Sequence, residues 1–103
     1  MKYALFGFGT VGVGVFEMTD RLPELHCEKV LVRTGKVKEA WQTDDVQAIL
    51  ADPSIEAVAE VMGGLHPAYE YLSAALKAGK HVVTANKQLV AEHGFELLQL
   101  AKS

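Results

Sequence analysis

The feature that most constrains this chain is Gly7-Phe8-Gly9-Thr10-Val11-Gly12, a G-x-G-x-x-G spacing directly behind the short apolar run Lys2 to Phe6. A β-rich run closed by glycine reads as a buried strand. Behind the glycines, Val11, Val15, Met18 and Leu22 recur at steps of four, three and four, one face of a helix that stops at Pro23. Strand, glycine turn and helix, in that order, suit a dinucleotide. The first glycine permits the tight turn, the second lets a pyrophosphate approach the backbone, and the third lets helix and strand pack closely. The anion then rests on free amides at the positive helix end. A glycine-rich turn with no ligand is the competing reading, and the flanking strand and helix weigh against it. Gly14, one turn further on, fits helix packing rather than ligand contact.

Downstream the alternation continues. Lys29 to Arg33, around Val30-Leu31-Val32, reads as a second strand followed by the turn Thr34-Gly35, while residues 36–42 show no assignable pattern. Thr43 and Asp44 are cap-type residues before Val46, Ile49 and Leu50, a short helix ended by Asp52-Pro53-Ser54. Ala57 to Met62 is a third strand closed by Gly63-Gly64. Pro67 suits the first turn of a helix with Ala68, Leu72, Ala75 and Leu76 on its apolar face and Gly79 as its C-terminal cap. Lys80 to Thr84 is a fourth strand, and Asn86 opens a last helical region, broken near Gly94, with Phe95, Leu98 and Ala101 on one face. This order predicts an α/β, Rossmann-like fold: a parallel sheet of about four strands, order 3-2-1-4, with helices on both faces, an incomplete doubly wound architecture. The fourth strand is left as an unpaired edge, which invites pairing with another copy into a homo-oligomer.

Composition narrows the function classes. With 103 residues the chain is one domain at most, and a net charge of −3 with no basic run argues against a nucleic-acid surface. The single Cys27 excludes an internal disulfide and a cysteine cluster for zinc, and fits a reducing compartment, so the cytoplasm is the expected location. His26, His66, His81 and His93 lack the close pairing of a metal site, so no metal is expected. No run approaches the ~18 apolar residues of a membrane span, and the N-terminal apolar run is too short for a signal peptide.

Cofactor choice should fall at the end of the second strand, where an acidic side chain normally accepts the ribose hydroxyls of NAD. Here that residue is Arg33. A guanidinium cannot accept from a hydroxyl but donates a bidentate pair to a 2′-phosphate, and Lys36 and Lys38 add positive charge, so NADP is expected, with NAD as the alternative. For the two lysines alone, a solvated surface is the simpler reading. Gly63-Gly64 and Thr84-Ala85-Asn86-Lys87 lie at carboxyl ends of strands, the edge where open α/β sheets bind ligands. On physical grounds an exposed loop lysine is the ordinary reading of Lys87, although an ammonium there could stabilise an alkoxide as hydride arrives. Glu60, in an apolar strand, is either functional or a carboxylate hydrogen-bonded to loop amides. Cys27 and Trp41 read as packing residues.

Joined together, these segments resemble the N-terminal nucleotide-binding domain of homoserine dehydrogenase. The resemblance rests on Gly7 to Gly12, on Val32-Arg33, on Glu60-Val61-Met62-Gly63-Gly64 with Pro67-Ala68, and most specifically on Gly79-Lys80-His81-Val82-Val83-Thr84-Ala85-Asn86-Lys87. It implies reversible, NAD(P)-dependent interconversion of L-aspartate 4-semialdehyde and L-homoserine, a step toward threonine, methionine and isoleucine. It also implies that Lys87 matches the family lysine between nicotinamide and substrate, and that Phe8, Thr10, Val11, Arg33 and Lys87 match dinucleotide-contacting positions. Family enzymes continue past this length into a substrate and dimerisation domain, so residues 1–103 are expected to be a partial dinucleotide-binding domain, inactive alone. A stand-alone binding or interaction module remains the alternative. A methyltransferase using the same turn is disfavoured by Arg33, where an acid would be wanted for the ribose.

Overall fold

The computed structural model describes residues 1–102. Among them the elements run β1 (Lys2–Phe6), α1 (Thr10–Thr19), β2 (His26–Leu31), β3 (Gln42–Thr43), α2 (Val46–Leu50), β4 (Ala57–Glu60), α3 (Ala68–Lys77), β5 (His81–Thr84) and α4 (Lys87–Lys102). Every strand pairing is parallel and the sheet order is β3-β2-β1-β4-β5. The Rossmann-like sheet expected from the sequence is therefore present, with one more strand than the four foreseen.

The additional strand is β3, at the end of the stretch that showed no pattern. Two residues cannot display a period, yet the ladder is real: Val30 N–H donates to Trp41 O at 2.8 Å and Val32 N–H to Thr43 O at 2.8 Å. This strand takes the third place of the 3-2-1-4 order. The Ala57 run consequently stands fourth, across β1 from β2, and His81–Thr84 becomes a fifth strand at the sheet edge. Strand β1 is buried on both faces and needs a ladder on each side, which β2 and β4 supply. The strand order reverses between β1 and β4, the position at which open α/β sheets form a ligand crevice.

Alternation along β1 sorts the core into two layers. Tyr3 and Leu5 join Val30 on one face, covered by Val15 and Phe16 of α1 and by Trp41. Ala4 and Phe6 face the other way, against Ile49 of α2, Leu72 and Ala75 of α3, and Leu89 and Leu97 of α4. Phe6, Leu5, Ile49, Leu72 and Leu89 are fully buried, and each contributes about 1.5–3 kcal/mol relative to exposure. Among the described residues no helix is long and apolar enough to cross a membrane.

Some boundaries differ from the sequence expectation. Helix α1 ends at Thr19, four residues before Pro23, and the chain continues in tight turns, Arg21 N–H to Met18 O and Leu22 N–H to Thr19 O. Strand β2 begins earlier, at His26, because the His26 amide reaches Met1 O at 2.9 Å, and it ends at Leu31, so Val32 and Arg33 lie just beyond it. Pro67 is the N-cap of α3 rather than its first helical residue. Helix α4 runs unbroken through Gly94. A helical glycine costs about 1 kcal/mol, which burial of Leu89 and Leu97 on either side of it offsets.

Candidate dinucleotide site

The glycine turn joins β1 to α1, and each glycine has a distinct reason to lack a side chain. Gly7 has φ +103°, and a Cβ there would meet the backbone and side chain of Met62 at 3.2 Å. Gly12 is buried in α1, and a Cβ would stand 2.5 Å from Gly7 O, so only glycine lets the helix start this close to the strand. Gly9 is the opposite case: a Cβ would meet nothing within 4 Å. Its bare backbone borders open space at the amino end of α1, and the cap has no side-chain hydrogen bond there. Free amides beside an open, side-chain-free approach are what a pyrophosphate needs, so the turn fits the cofactor. Thr10 and Val11 are exposed at the first turn, Val11 to 58%. Phe8 is turned inward, edge-on to Phe16 with ring centroids 5.7 Å apart and to Trp41 at 5.5 Å.

Arg33 is exposed just past β2, and its carbonyl accepts from Lys36 N–H at 2.9 Å, closing the turn that carries the basic residues. Among the described residues neither Arg33 nor Lys87 pairs with a carboxylate. Both cations are thus available to an anionic or polarised ligand. Lys87 is exposed as the first residue of α4.

The loops after β4 and β5 are held by side chains rather than by their absence. Glu60 is completely buried at the carboxyl end of β4, where its Oε2 accepts from the amides of Met62 at 2.8 Å and Gly63 at 3.3 Å. Thr84, half-buried, donates its hydroxyl to Glu60 Oε1 at 2.5 Å and accepts from the Asn86 amide at 3.0 Å. Asn86 then caps α4, its Oδ1 accepting from Leu89 N–H at 3.0 Å, while its Nδ2 donates to Gly64 O. Gly63 and Gly64, at φ +78° and +74°, supply the left-handed backbone that turns this loop. Of the sequence candidates, Gly7 to Gly12, Gly63, Gly64, Thr84 and Lys87 all sit on the carboxyl edge of the sheet, with Arg33 beyond the end of β2. The Thr84 hydroxyl is engaged inward. The linking role of Asn86 was not legible, since an amide in a loop carries no pattern of its own.

Lys80, in the same motif as Lys87, is buried, and its ammonium donates to Asp52 O at 2.8 Å and Ile55 O at 2.7 Å. It ties the amino end of β5 to the α2–β4 loop, a structural duty. Two grooves lie elsewhere: one of about 770 Å³ between α3 and α4, including Tyr69, Ala74 and Phe95, and one of about 570 Å³ beneath α1, including Phe16, Cys27 and Trp41. Neither includes the glycine turn. Among the described residues no group of three or more His, Cys, Asp or Glu is placed to hold a metal ion. Burial pushes the Cys27 thiol up to about 11, which leaves it a packing residue rather than a nucleophile.

A parallel sheet with a glycine turn at its switch point defines a dinucleotide-binding domain of the Rossmann type. Residues 7–103 match the family model described as homoserine dehydrogenase, NAD binding domain. The chain belongs to that family. It is 43% identical to the homoserine dehydrogenase of Lactococcus lactis, over 99% of this chain and 28% of the relative, and 38% identical to that of Bacillus subtilis, over 99% and 27%. The first of these alignments runs over 119 residues, longer than this chain, so the relative carries residues within it that have no counterpart here. A crystal structure of the S. aureus homoserine dehydrogenase at pH 7.0 superposes with a TM-score of 0.87 at 37% identity, over 99% of this chain and 30% of that one. The Thiobacillus denitrificans enzyme gives 0.86 at 35%, over 99% and 27%. The chain spans little more than a quarter of the curated relatives it matches.

Proposed function

We propose that these residues form the cofactor-binding part of a homoserine dehydrogenase, an oxidoreductase interconverting L-aspartate 4-semialdehyde and L-homoserine, with NADP(H) preferred over NAD(H). The observation that carries the preference is Arg33, an unpaired guanidinium just past β2, where an acid would be needed to accept the ribose hydroxyls of NAD. Beside it, the exposed Gly9 backbone receives the pyrophosphate, with Phe8, Thr10, Val11 and Gly12 completing the turn. Gly63, Gly64 and Thr84 line the second half of the same edge. The bound nicotinamide supplies or takes up the hydride. Lys87 holds the substrate oxygen, and its fixed positive charge stabilises the alkoxide that develops there. The domain organisation that follows is a partial dinucleotide-binding unit at residues 1–103, working with a substrate-binding part of its own parent enzyme, on a small-molecule substrate in the cytoplasm.

Calorimetric titration of the folded chain with NADPH and NADH at fixed salt tests this reading. NADPH should bind more tightly by about 10–100-fold, the worth of a charge-assisted hydrogen-bond pair, and Arg33→Ala should erase the difference. Equal affinities, or a ratio indifferent to Arg33→Ala, contradict the NADP assignment.

A further inference from the structure

Glu60 is an anomaly in this core. It is fully buried, and among the described residues no lysine, arginine or histidine forms an ion pair with it. Burying a carboxylate without a cation is costly, and an apolar side chain would serve the sheet better at that position. The donors around it show what the carboxylate does: two backbone amides of the β4–α3 loop approach one oxygen, and the Thr84 hydroxyl approaches the other. Thr84 in turn receives the Asn86 amide, and Asn86 reaches back to Gly64 O, 22 residues away in sequence. The hydrogen bonds close a ring through Gly63, Glu60, Thr84, Asn86 and Gly64. Lys87 follows directly, on the helix that Asn86 caps.

We propose that Glu60 is a positioning residue for the nicotinamide half of the site: its carboxylate locks the Gly63-Gly64 loop and the amino end of α4 into one arrangement and so aims Lys87. The inference rests on the dinucleotide reading above and assigns to Glu60 no contact with cofactor or substrate. A carboxylate suits the ring because both of its oxygens accept at once. A glutamine in its place must turn an NH2 group either toward the Met62 and Gly63 amides, donor against donor, or toward the Thr84 hydroxyl, whose proton then loses its acceptor. The hydrogen bonds of the ring include neither Arg33 nor Gly9, and although Met62, whose amide Glu60 holds, packs against Gly7, the effect should fall chiefly on the half of the ligand nearer β4 and β5.

The test compares two probes on the folded 103-residue chain: NADPH, and adenosine 2′,5′-bisphosphate, which carries the adenosine half alone. Glu60→Gln and Thr84→Val should each weaken NADPH about ten-fold or more while leaving the bisphosphate within about two-fold, and Thr84→Ser, which keeps the hydroxyl donor to Glu60, should recover most of the NADPH affinity that Thr84→Val loses. If circular dichroism shows Glu60→Gln unfolded, Thr84→Val and Thr84→Ser carry the comparison. Equal weakening of both probes would make Glu60 a merely structural residue and overturn the inference, as would unchanged NADPH binding. A wild-type chain that binds the bisphosphate as tightly as NADPH overturns the inference and leaves the dinucleotide reading standing. A wild-type chain that binds neither removes the reading and the inference together.

Discussion

The two halves of the carboxyl edge are built by opposite means. Around β1 the edge is shaped by missing side chains: Gly12 lets α1 approach Gly7 O, and Gly9 leaves the backbone bare. Around β4 and β5 it is shaped by side chains that are present and turned inward, Glu60, Thr84 and Asn86, each satisfying the next. The glycine half is held by close approach at Gly7 and Gly12, where a side chain does not fit, while Gly9 stands open. The other half is rigid only while every donor and acceptor is in place, so one substitution can loosen a whole loop pair.

The sharpest way to break this comparison is within the glycine half. Gly12→Ala places a methyl 2.5 Å from a carbonyl oxygen and should cost about 1–3 kcal/mol in urea denaturation as well as abolish dinucleotide binding. Gly9→Ala, with open space around its Cβ and φ −81°, should leave stability within about 0.5 kcal/mol yet still weaken binding by excluding the phosphates. Equal stability losses for the two would mean that the turn is a packing device only.

A second contrast sets the two lysines of the β5 motif against each other. Lys80→Met leaves the Asp52 and Ile55 carbonyls without their donor and should lower stability by about 1–3 kcal/mol with dinucleotide preference intact. Lys87→Met should do the reverse, leaving stability within about 0.5 kcal/mol, because the ammonium is exposed and without an ion pair, while turnover in a full-length enzyme carrying these residues collapses. Denaturation and single-turnover assays on both variants check this.

Smaller effects come from two local histidine–glutamate pairs, one at the start of α3 and one within α4. His66 lies 2.8 Å from Glu70 and His93 lies 3.0 Å from Glu96, and these hydrogen bonds hold both carboxyls below their ordinary value of 4.5. A depressed carboxyl stabilises the fold above its unfolded value and loses that contribution as pH falls through the folded one. Melting temperature should therefore decline from about pH 4.5 downward, and the double substitution Glu70→Gln with Glu96→Gln should flatten the decline. The least effect is expected at Cys27: burial raises the thiol to about 11, so alkylation at pH 8 should be much slower than for a free thiol at 9.0. Rapid labelling there would mean that β2 opens locally.

How much was legible follows the same division. The glycine turn could be read from six adjacent letters, because the constraint is local and its signal is the absence of a side chain. The parallel sheet followed from the alternation of apolar runs with helical periods. The two-residue β3 escaped because a ladder supplied by Val30 and Val32 of the neighbouring chain segment leaves no period in Gln42 and Thr43. The unbroken α4 escaped because packing of Leu89 and Leu97 outweighs the local penalty at Gly94. At the site, Lys80 and Lys87 look alike in sequence, and only the fold sends one into the core. For Glu60 the sequence leaves two readings open, a functional residue or a carboxylate bound by loop amides, and its link to Thr84 and Asn86 depends on two strands becoming neighbours.

The central claim is that both halves of this edge serve one dinucleotide. The most direct measurement is an amide chemical-shift map of the 15N-labelled chain titrated with NADPH. The account predicts saturable shifts at Gly7 to Gly12 and Arg33 together with Gly63, Gly64, Asn86 and Lys87. Shifts confined to the groove between α3 and α4, or none in a folded chain, would contradict it.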